Sequence, residues 1–276
     1  MLLYYSGGNK TLVDRDYVVV TTMNKDGFEK YGQRMVDSFI EYWPDHVDLI
    51  VYTEGFTLED YYKEWPSNIY QRDLHECCPE LVKFKERHKD RPDQQNPKEL
   101  AHGAIRFAHK SFAVIHACMN TYGCVIWLDA DTVTHSPVSE GFLDDLLPSP
   151  CYTSYLGRKN NYTECGFVMY DTNSVWNEQF MMMWRSLYIT DELFNLPQWH
   201  DCMAYDAVRT HLEQQGMWSH NITPQGKNYD HVFINSPLGT VMDHLKGPRK
   251  DTGKSSLSDL YGNRIMSDEW SYFKGD

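Results

Sequence analysis

Two acidic residues, Asp129 and Asp131, directly follow the apolar run formed by residues 124–128. Such a run predicts a buried strand, so both carboxylates should stand at its end. Carboxylates in this position lose hydration unless a cation neutralises them, and a divalent metal ion is their natural partner. The pair therefore predicts a metal site of the kind that binds phosphate groups. A simple strand-to-loop turn with two hydrated Asp side chains is the alternative.

The elements that must position this pair alternate along the chain. A strand at 17–21, a helix at 28–42 and a strand at 47–52 form a β-α-β unit whose strand ends should face a ligand crevice. Further helices are predicted from their apolar periodicity, and further strands from their β-branched and apolar runs. The helices span 98–120, 142–147, 172–189 and 199–215; the strands span 151–156, 165–170, 232–235 and 240–242.

Composition points to one folded α/β domain. The 276 residues are 41% hydrophobic and 14% aromatic, enough for a large core. We predict a single domain over residues 1–276, with an insertion at about 56–97, where the sequence is polar and interrupted by prolines. The formal net charge of −13 disfavours non-specific attraction to a polyphosphate backbone, although a local basic patch can override it.

Cysteine usage and hydropathy predict the compartment. The seven cysteines are odd in number and show no repeating spacing, which is typical of a reducing environment. The first residues are too short for a signal sequence, and no run of about 18 apolar residues predicts a membrane span. We therefore expect a cytoplasmic protein, either bacterial or acting in the host cytoplasm if viral.

One helix carries a possible anion-binding stripe. His102, Arg106 and Lys110 recur every four residues and so share one face of the helix predicted at 98–120. Arg106 and Lys110 could hold a diphosphate. An ordinary hydrated cationic face is the alternative, because such stripes are common.

Together, these features carry a resemblance. Alternating strands and helices, an Asp-x-Asp motif after a mid-chain strand and a late His-x-Lys-Gly segment resemble the nucleotide-sugar glycosyltransferases of GT-A fold, especially the glycogenin-like group. The resemblance implies a Rossmann-like mixed sheet flanked by helices. It also implies Mn²⁺ or Mg²⁺ bound by Asp129 and Asp131, with His244 as third ligand. Lys246 and Gly247 would bind the donor diphosphate, while which nearby cation meets the phosphate stays open.

Two acidic residues match this family more loosely. The segment that begins at Glu164 resembles a strand lining the sugar pocket, and Glu164 could bind sugar hydroxyls or stabilise positive charge at the anomeric carbon. Asp201 lies in an Asp-rich stretch before a helix that, in the family, touches donor sugar and acceptor. Both are predicted catalytic residues. Capping of the helix is the alternative role for Asp201.

The resemblance places the nucleotide near the first strand. Thr21, Thr22 and Asn24 occupy the positions where this family holds base and ribose, and Tyr31 could stack on the base. Thr21, Thr22, Asn24 and Asp129 are thus expected in the donor site.

The implied activity is transfer of a hexosyl or pentosyl group from a nucleoside-diphosphate sugar to a hydroxyl acceptor. The acceptor could be a hydroxylated pyrimidine in phage DNA, a glycan, a lipid-linked saccharide or a protein. The resemblance favours retention of configuration, but Asp201 or Glu164 could equally act as a base for inversion.

A phosphatase is the competing interpretation. The segment around Asp129 also resembles the first motif of haloacid-dehalogenase-type phosphatases, in which the first Asp is the nucleophile and the second a general acid. That family usually begins with this motif and ends with a second acidic segment for Mg²⁺. Here more than a hundred residues precede the motif, and no later segment of that kind is found.

Overall fold

The protein is built on a seven-stranded sheet, seen in a computed structural model that describes residues 16–92, 102–223, 231–260, 264–265 and 267–274. In chain order the strands are β1 Tyr17–Asn24, β2 Asp48–Glu54, β3 Ile69–Asp73, β4 Cys124–Leu128, β5 Thr132–Thr134, β6 Thr153–Arg158, β7 Asn161–Asp171, β8 His220–Asn221 and β9 Met242–His244. The large sheet has the order β3-β2-β1-β4-β7-β6-β8, and β5 pairs with β9 in a separate ribbon.

Helices follow most of these strands. They are α1 Lys25–Gly27, which continues through a π-helical turn at Phe28–Gly32 into α2 Gln33–Tyr42, then α3 Leu74–Cys77, α4 Pro79–His88, α5 His102–Asn120, α6 Glu140–Leu146, α7 Val175–Ile189, α8 Asp201–Gln214 and α9 Arg249–Thr252. Short 3₁₀ helices lie at Leu58–Asp60, Glu192–Asn195, Pro237–Thr240, Leu257–Asp259 and Asp268–Lys274.

Strand β4 is the seam of the sheet. It runs parallel to β1 on one side and antiparallel to β7 on the other. Because β7 runs in the opposite direction, its first residues lie beside the carboxyl end of β4, with Phe167 opposite Leu128. The loop after β4 and the beginning of β7 therefore meet at one edge of the sheet.

Both faces of β4 are buried, which explains why its sequence is apolar without alternation. Ile126 and Leu128 pack into a core with the α2 residues Met35 and Phe39. Val125 and Trp127 face the opposite core, which contains residues of α5 and α7. The mixed sheet is thus flanked by helices on both faces, and the predicted fold class is confirmed.

Several predicted elements need correction. Residues 232–235 form no strand, and β9 begins at Met242 where a strand was predicted over 240–242. In the segment taken as an insertion, Ile69–Asp73 forms the edge strand β3, which pairs in parallel with β2. Residues 93–97 of that segment and residues 98–101 of the predicted helix lie outside the described residues.

Two further sequence expectations concern thiols and membranes. All seven cysteines are free thiols in the structure. No helix among the described residues combines the length and apolar character needed to cross a membrane.

Candidate active site

A two-stranded ribbon brings the late histidine to the acidic motif. β5 directly follows Asp131 and pairs antiparallel with β9, so that Thr132 stands opposite His244. The backbone N–H of Leu245 also donates a hydrogen bond of 2.9 Å to the carbonyl of Asp131. The main chain therefore places His244 beside the motif despite a separation of 113 residues.

Asp129, Asp131 and His244 form a compact cluster at the seam of the sheet. The Nε2 atom of His244 lies 3.0 Å from Oδ1 of Asp131 and 3.5 Å from Oδ2 of Asp129. One ligand atom from each residue lies within 4.8 Å of the other two. The backbone N–H of Asp129 donates to the carbonyl of Gly166 on β7, which fixes the motif to the neighbouring strand.

The chemistry of this cluster fits the expected metal ion. Two carboxylates and an imidazole suit Mn²⁺, which accepts mixed oxygen and nitrogen ligands, and Mg²⁺ prefers the oxygens. His244 is only 1% exposed, and its Nδ1 atom has no hydrogen-bond partner among the described residues. Asp129, Asp131 and His244 would therefore hold the ion. Their role as ligands stays a prediction.

Gly166 makes room for the imidazole. A Cβ atom at this position would lie 2.5 Å from Cε1 and 2.7 Å from Nδ1 of His244, closer than side chains tolerate. The small residue on β7 therefore allows His244 to lie against the strand. This explains in physical terms why a glycine follows Cys165 in the buried part of β7.

Replacing Gly166 by Ala should weaken Mn²⁺ binding by about tenfold or more, because the new methyl group displaces the His244 ring. Calorimetric titration with Mn²⁺ measures this effect. Gly141→Ala is the matched control, because a Cβ at Gly141 meets nothing within 4 Å. It should leave the Mn²⁺ affinity unchanged and stabilise α6 by about 0.5–1 kcal/mol. If both variants bind Mn²⁺ with equal affinity, His244 is not a metal ligand that depends on the space beside Gly166.

Lys110 joins the two predicted acidic sites. Its Nζ atom lies 2.8 Å from Oδ1 of Asp129 and 3.0 Å from Oδ2 of Asp201, and it also donates to the carbonyl of Cys165. Burial opposes a charge here, but the two carboxylates outweigh it and raise the pKa of Lys110 well above its usual value. The ammonium group therefore stays charged and holds Asp129 and Asp201 together.

Asp201 is not the cap of its helix. His200 is the N-cap of α8, and its Nδ1 atom accepts the backbone N–H of Met203. The Asp201 carboxylate, in the first turn, is thereby left to pair with Lys110. The capping alternative is wrong, while the predicted catalytic role remains a prediction.

Two more lysines pair with carboxylates of the site. Lys246 contacts Glu164, and Lys250 lies 2.9 Å from Oδ2 of Asp131. The charge of Lys246, acting against burial, lowers the pKa of Glu164 to about 2. Lys250 was left open from the sequence as one of several cations. Its spacing was the available signal, since Lys250 stands six residues after His244 and three after Gly247 on the same short segment.

The predicted nucleotide-binding residues lie at the carboxyl end of β1. Thr21 is fully buried, and its Oγ1 atom has no hydrogen-bond partner among the described residues. Thr22 donates to the carbonyl of Tyr52, and the Asn24 side chain accepts from the N–H of Gly27. Tyr31 lies beside Lys250, whose Nζ atom is 4.4 Å from the centre of the tyrosine ring. Contact of these residues with a nucleotide stays a prediction.

A half-buried contact between Glu54 and His109 at this edge was not predicted. Oε2 of Glu54, the last residue of β2, lies 2.6 Å from Nδ1 of His109 on α5. The sequence signal was weak, because only the position of Glu54 at a strand end marked it as facing the crevice.

The remaining two predicted donor-site residues are exposed. The Arg106 side chain is exposed, with its guanidinium 4.7 Å from the ring centre of Phe107, whereas Lys110 on the same helix contacts Asp129 and Asp201. Gly247 adopts a positive φ of 59° in the turn after β9. Their donor contacts stay predictions.

Comparison with known proteins identifies the fold. No model of a known protein family matches the chain, and no curated protein matches its sequence. Among solved structures, the galactosyltransferase LgtC in complex with donor and acceptor sugar analogs matches with a TM-score of 0.51 and 12% identity, over 84% of this chain and 87% of LgtC. The bifunctional glycosyltransferase WbbM matches with a TM-score of 0.52 and 12% identity.

The WbbM match covers 98% of this chain and 54% of WbbM, so the chain spans about half the length of that protein. Mouse xyloside xylosyltransferase 1 also matches, with a TM-score of 0.48 and 10% identity over 75% of this chain and 85% of that protein. LgtC and WbbM, the two matches with TM-scores above 0.5, are glycosyltransferases, and the phosphatase alternative gains no support from them. The mixed seven-stranded sheet of this chain is the GT-A fold.

Proposed function

We infer that the protein is a metal-dependent glycosyltransferase that uses a nucleoside-diphosphate sugar. The observation that carries this proposal is the convergence of Asp129, Asp131 and His244 at the seam of a GT-A sheet, with ligand atoms within 4.8 Å. The fold alone is compatible with many activities. The cluster adds the side chains that would bind the metal ion used in such a transfer.

The cations around the cluster suit the leaving group. When a sugar leaves a nucleoside diphosphate, negative charge builds on the diphosphate, and fixed positive charge stabilises it more in the transition state than before. A bound Mn²⁺ or Mg²⁺ ion would supply part of that charge. Lys250 and Lys246 stand on the segment that follows His244 and would supply the rest. Both already contact carboxylates of the site.

Glu164 and Asp201 are the proposed groups on the sugar side. Glu164 is 6% exposed and ionised at neutral pH, since its pKa is lowered to about 2. It could stabilise positive charge at the anomeric carbon or accept hydrogen bonds from sugar hydroxyls. Asp201 is held by Lys110 and could orient the acceptor. A retaining reaction, in which the departing phosphate takes the acceptor proton, is our preferred course.

The acceptor is proposed only as a hydroxyl group. Modified DNA is one candidate, along with glycans, lipid-linked saccharides and proteins. Binding to duplex DNA that weakens steeply with salt would support the first of these. No binding at low salt would exclude it.

The donor is best identified by thermal shift. Nucleoside diphosphates and nucleotide sugars should raise the Tm only when Mn²⁺ is present, because Asp129 and Asp131 would hold the ion and its positive charge would favour binding of the diphosphate. A ligand at 100 times its Kd stabilises the folded state by about 2.7 kcal/mol. Nucleoside monophosphates are the matched control ligands, and they should give smaller shifts. Equal shifts with and without Mn²⁺, or none for any diphosphate, would contradict the proposal.

A further inference from the structure

Two thiols that the proposed reaction does not use face each other beside the site. Cys165 lies on β7 and Cys202 in the first turn of α8. Their sulfur atoms and one carboxylate oxygen of Asp201 all lie within 4.8 Å of one another. Thiols this close have either a metal-binding or a redox chemistry available.

The neighbouring charge argues against a metal ion here. The ammonium group of Lys110 lies 3.0 Å from Oδ2 of Asp201 and already neutralises the carboxylate that would be the third ligand. The same ammonium group also contacts Asp129, but there Asp131 and His244 offer two further ligand atoms, whereas at the thiols the two sulfurs are joined only by the paired Asp201 carboxylate among the described residues. Redox chemistry, in contrast, places no added positive charge beside Lys110.

Cys202 has the properties of an attacking thiol. It is partly exposed, and a hydrogen bond with the Cys165 thiol lowers its pKa against burial and the charge of Asp201, helped by His200 and the charge of Lys110. The Cys202 thiol also donates a hydrogen bond of 3.6 Å to Oδ1 of Asp201. The thiolate is the form that reacts with oxidants. Its position in the first helical turn also matters, because no preceding turn restricts the rotation of its side chain.

Other cysteines of the chain lack this combination. Burial raises the pKa of Cys77, Cys78, Cys118 and Cys151, so these thiols are mostly protonated at neutral pH. Cys165 also has a raised pKa and is 3% exposed, which suits a resolving thiol that waits behind a more accessible one. The two sulfurs therefore differ in role.

We propose that hydrogen peroxide converts Cys165 and Cys202 into a reversible disulfide that lowers transferase activity. The Cys202 thiolate attacks one peroxide oxygen, the O–O bond breaks, and Cys202 becomes a sulfenic acid while the other oxygen leaves as water after protonation. The Cys165 sulfur then attacks the sulfenic sulfur, and the S–O bond breaks. The hydroxide that leaves takes the Cys165 proton and departs as water. Both sulfurs are oxidised, and the peroxide is reduced to two water molecules.

The structure links this bond to the site through Asp201. A disulfide has a sulfur–sulfur distance of about 2.05 Å, so its formation draws the first turn of α8 toward β7. Asp201 belongs to that turn and, through Lys110, is tied to Asp129. Oxidation therefore shifts the Asp201 carboxylate, which helps to position Asp129 in its cluster with Asp131 and His244. This effect on activity rests on the proposed function, whereas formation of the disulfide does not.

The experiment uses the full chain, treated with hydrogen peroxide and digested with trypsin without reduction. Cleavage at Arg185 separates peptide 160–185, which contains Cys165, from peptide 186–209, which contains Cys202. We expect mass spectrometry to find these two peptides joined. Donor hydrolysis should fall by about tenfold and recover with a dithiol reductant. Recovery excludes methionine oxidation as the cause, because a dithiol does not reduce the sulfoxide.

Variants separate the possible outcomes. Cys202→Ser should hydrolyse the donor equally fast before and after treatment with peroxide. Cys77→Ser is the matched control, because Cys77 is also partly exposed, and it should lose activity as the wild type does. Absence of the joined peptides in oxidised wild-type protein would overturn the proposal. Joined peptides with unchanged hydrolysis would overturn the link to Asp201. A reduced protein that hydrolyses no nucleotide sugar, yet forms the disulfide, would instead contradict the proposed function.

Discussion

Asp131→Asn is expected to reduce Mn²⁺-dependent hydrolysis of the donor by about 100-fold or more. Loss of a residue that only supports a metal ligand typically lowers metal affinity or activity by 10–100-fold, and Asp131 is placed to bind the ion itself. Its carboxylate contacts both His244 and Lys250, so the amide also removes the charge that orients them. Steady-state hydrolysis of the nucleotide sugar that gives the largest Mn²⁺-dependent thermal shift measures the effect.

The control for this variant is Asp251→Asn, which makes the same change at an exposed carboxylate 3.3 Å from Lys30. It should hydrolyse the donor at the wild-type rate. A thermal transition recorded for each variant shows whether the fold is kept. Activity of wild-type protein that persists in chelator, or an Asp131→Asn variant of normal activity, would be incompatible with the metal mechanism.

Lys110→Met is expected to lower the free energy of unfolding by about 3–5 kcal/mol, the usual effect of breaking a buried ion pair by removing one partner. Methionine keeps the length of the side chain but leaves Asp129 and Asp201 without their shared cation. Urea denaturation followed by circular dichroism measures this loss. Added Mn²⁺ should restore part of the stability, because the ion neutralises Asp129.

Lys25→Met is the matched control, since Lys25 is 61% exposed and lies 3.9 Å from Glu29 in a helical pair. Its unfolding free energy should change by less than about 0.5 kcal/mol. The double variant Lys110→Met with Asp201→Asn should be more stable than Lys110→Met alone, because it carries one unpaired carboxylate fewer. A single Lys110 variant as stable as the wild type would mean that the two carboxylates do not depend on this ammonium group.

The sequence contained enough to predict the centre of the fold. The apolar runs of β1 and β4 and the periodic residues of α2 and α5 act locally, through burial on both faces of a sheet and along one face of a helix. The same logic placed Asp129 and Asp131 at a strand end. Family resemblance, and not local pattern, suggested that His244 would join them.

The errors have different physical causes. β3 was missed because Ile69–Asp73 is a short edge strand with one fully buried residue, so its sequence shows little apolar signal. Val232, Phe233 and Ile234 pack into the core from a turn, and their apolar run was therefore taken for a buried strand. Arg106 is exposed and Lys110 lies in the site because of the way α5 packs against the sheet. Periodicity along one helix does not determine that packing.

The pairing of lysines with carboxylates in the site has a consequence for ligand binding. Lys250 contacts Asp131 and Lys246 contacts Glu164, so the site neutralises its own charges. On the proposed function, Asp131 would exchange its contact with Lys250 for a metal ion, and the Lys250 ammonium group would then be available to the diphosphate. Each ligand thus lowers the free energy of binding the other, and linkage requires the effect to be reciprocal. Metal and nucleotide should therefore bind cooperatively, each weakly when alone.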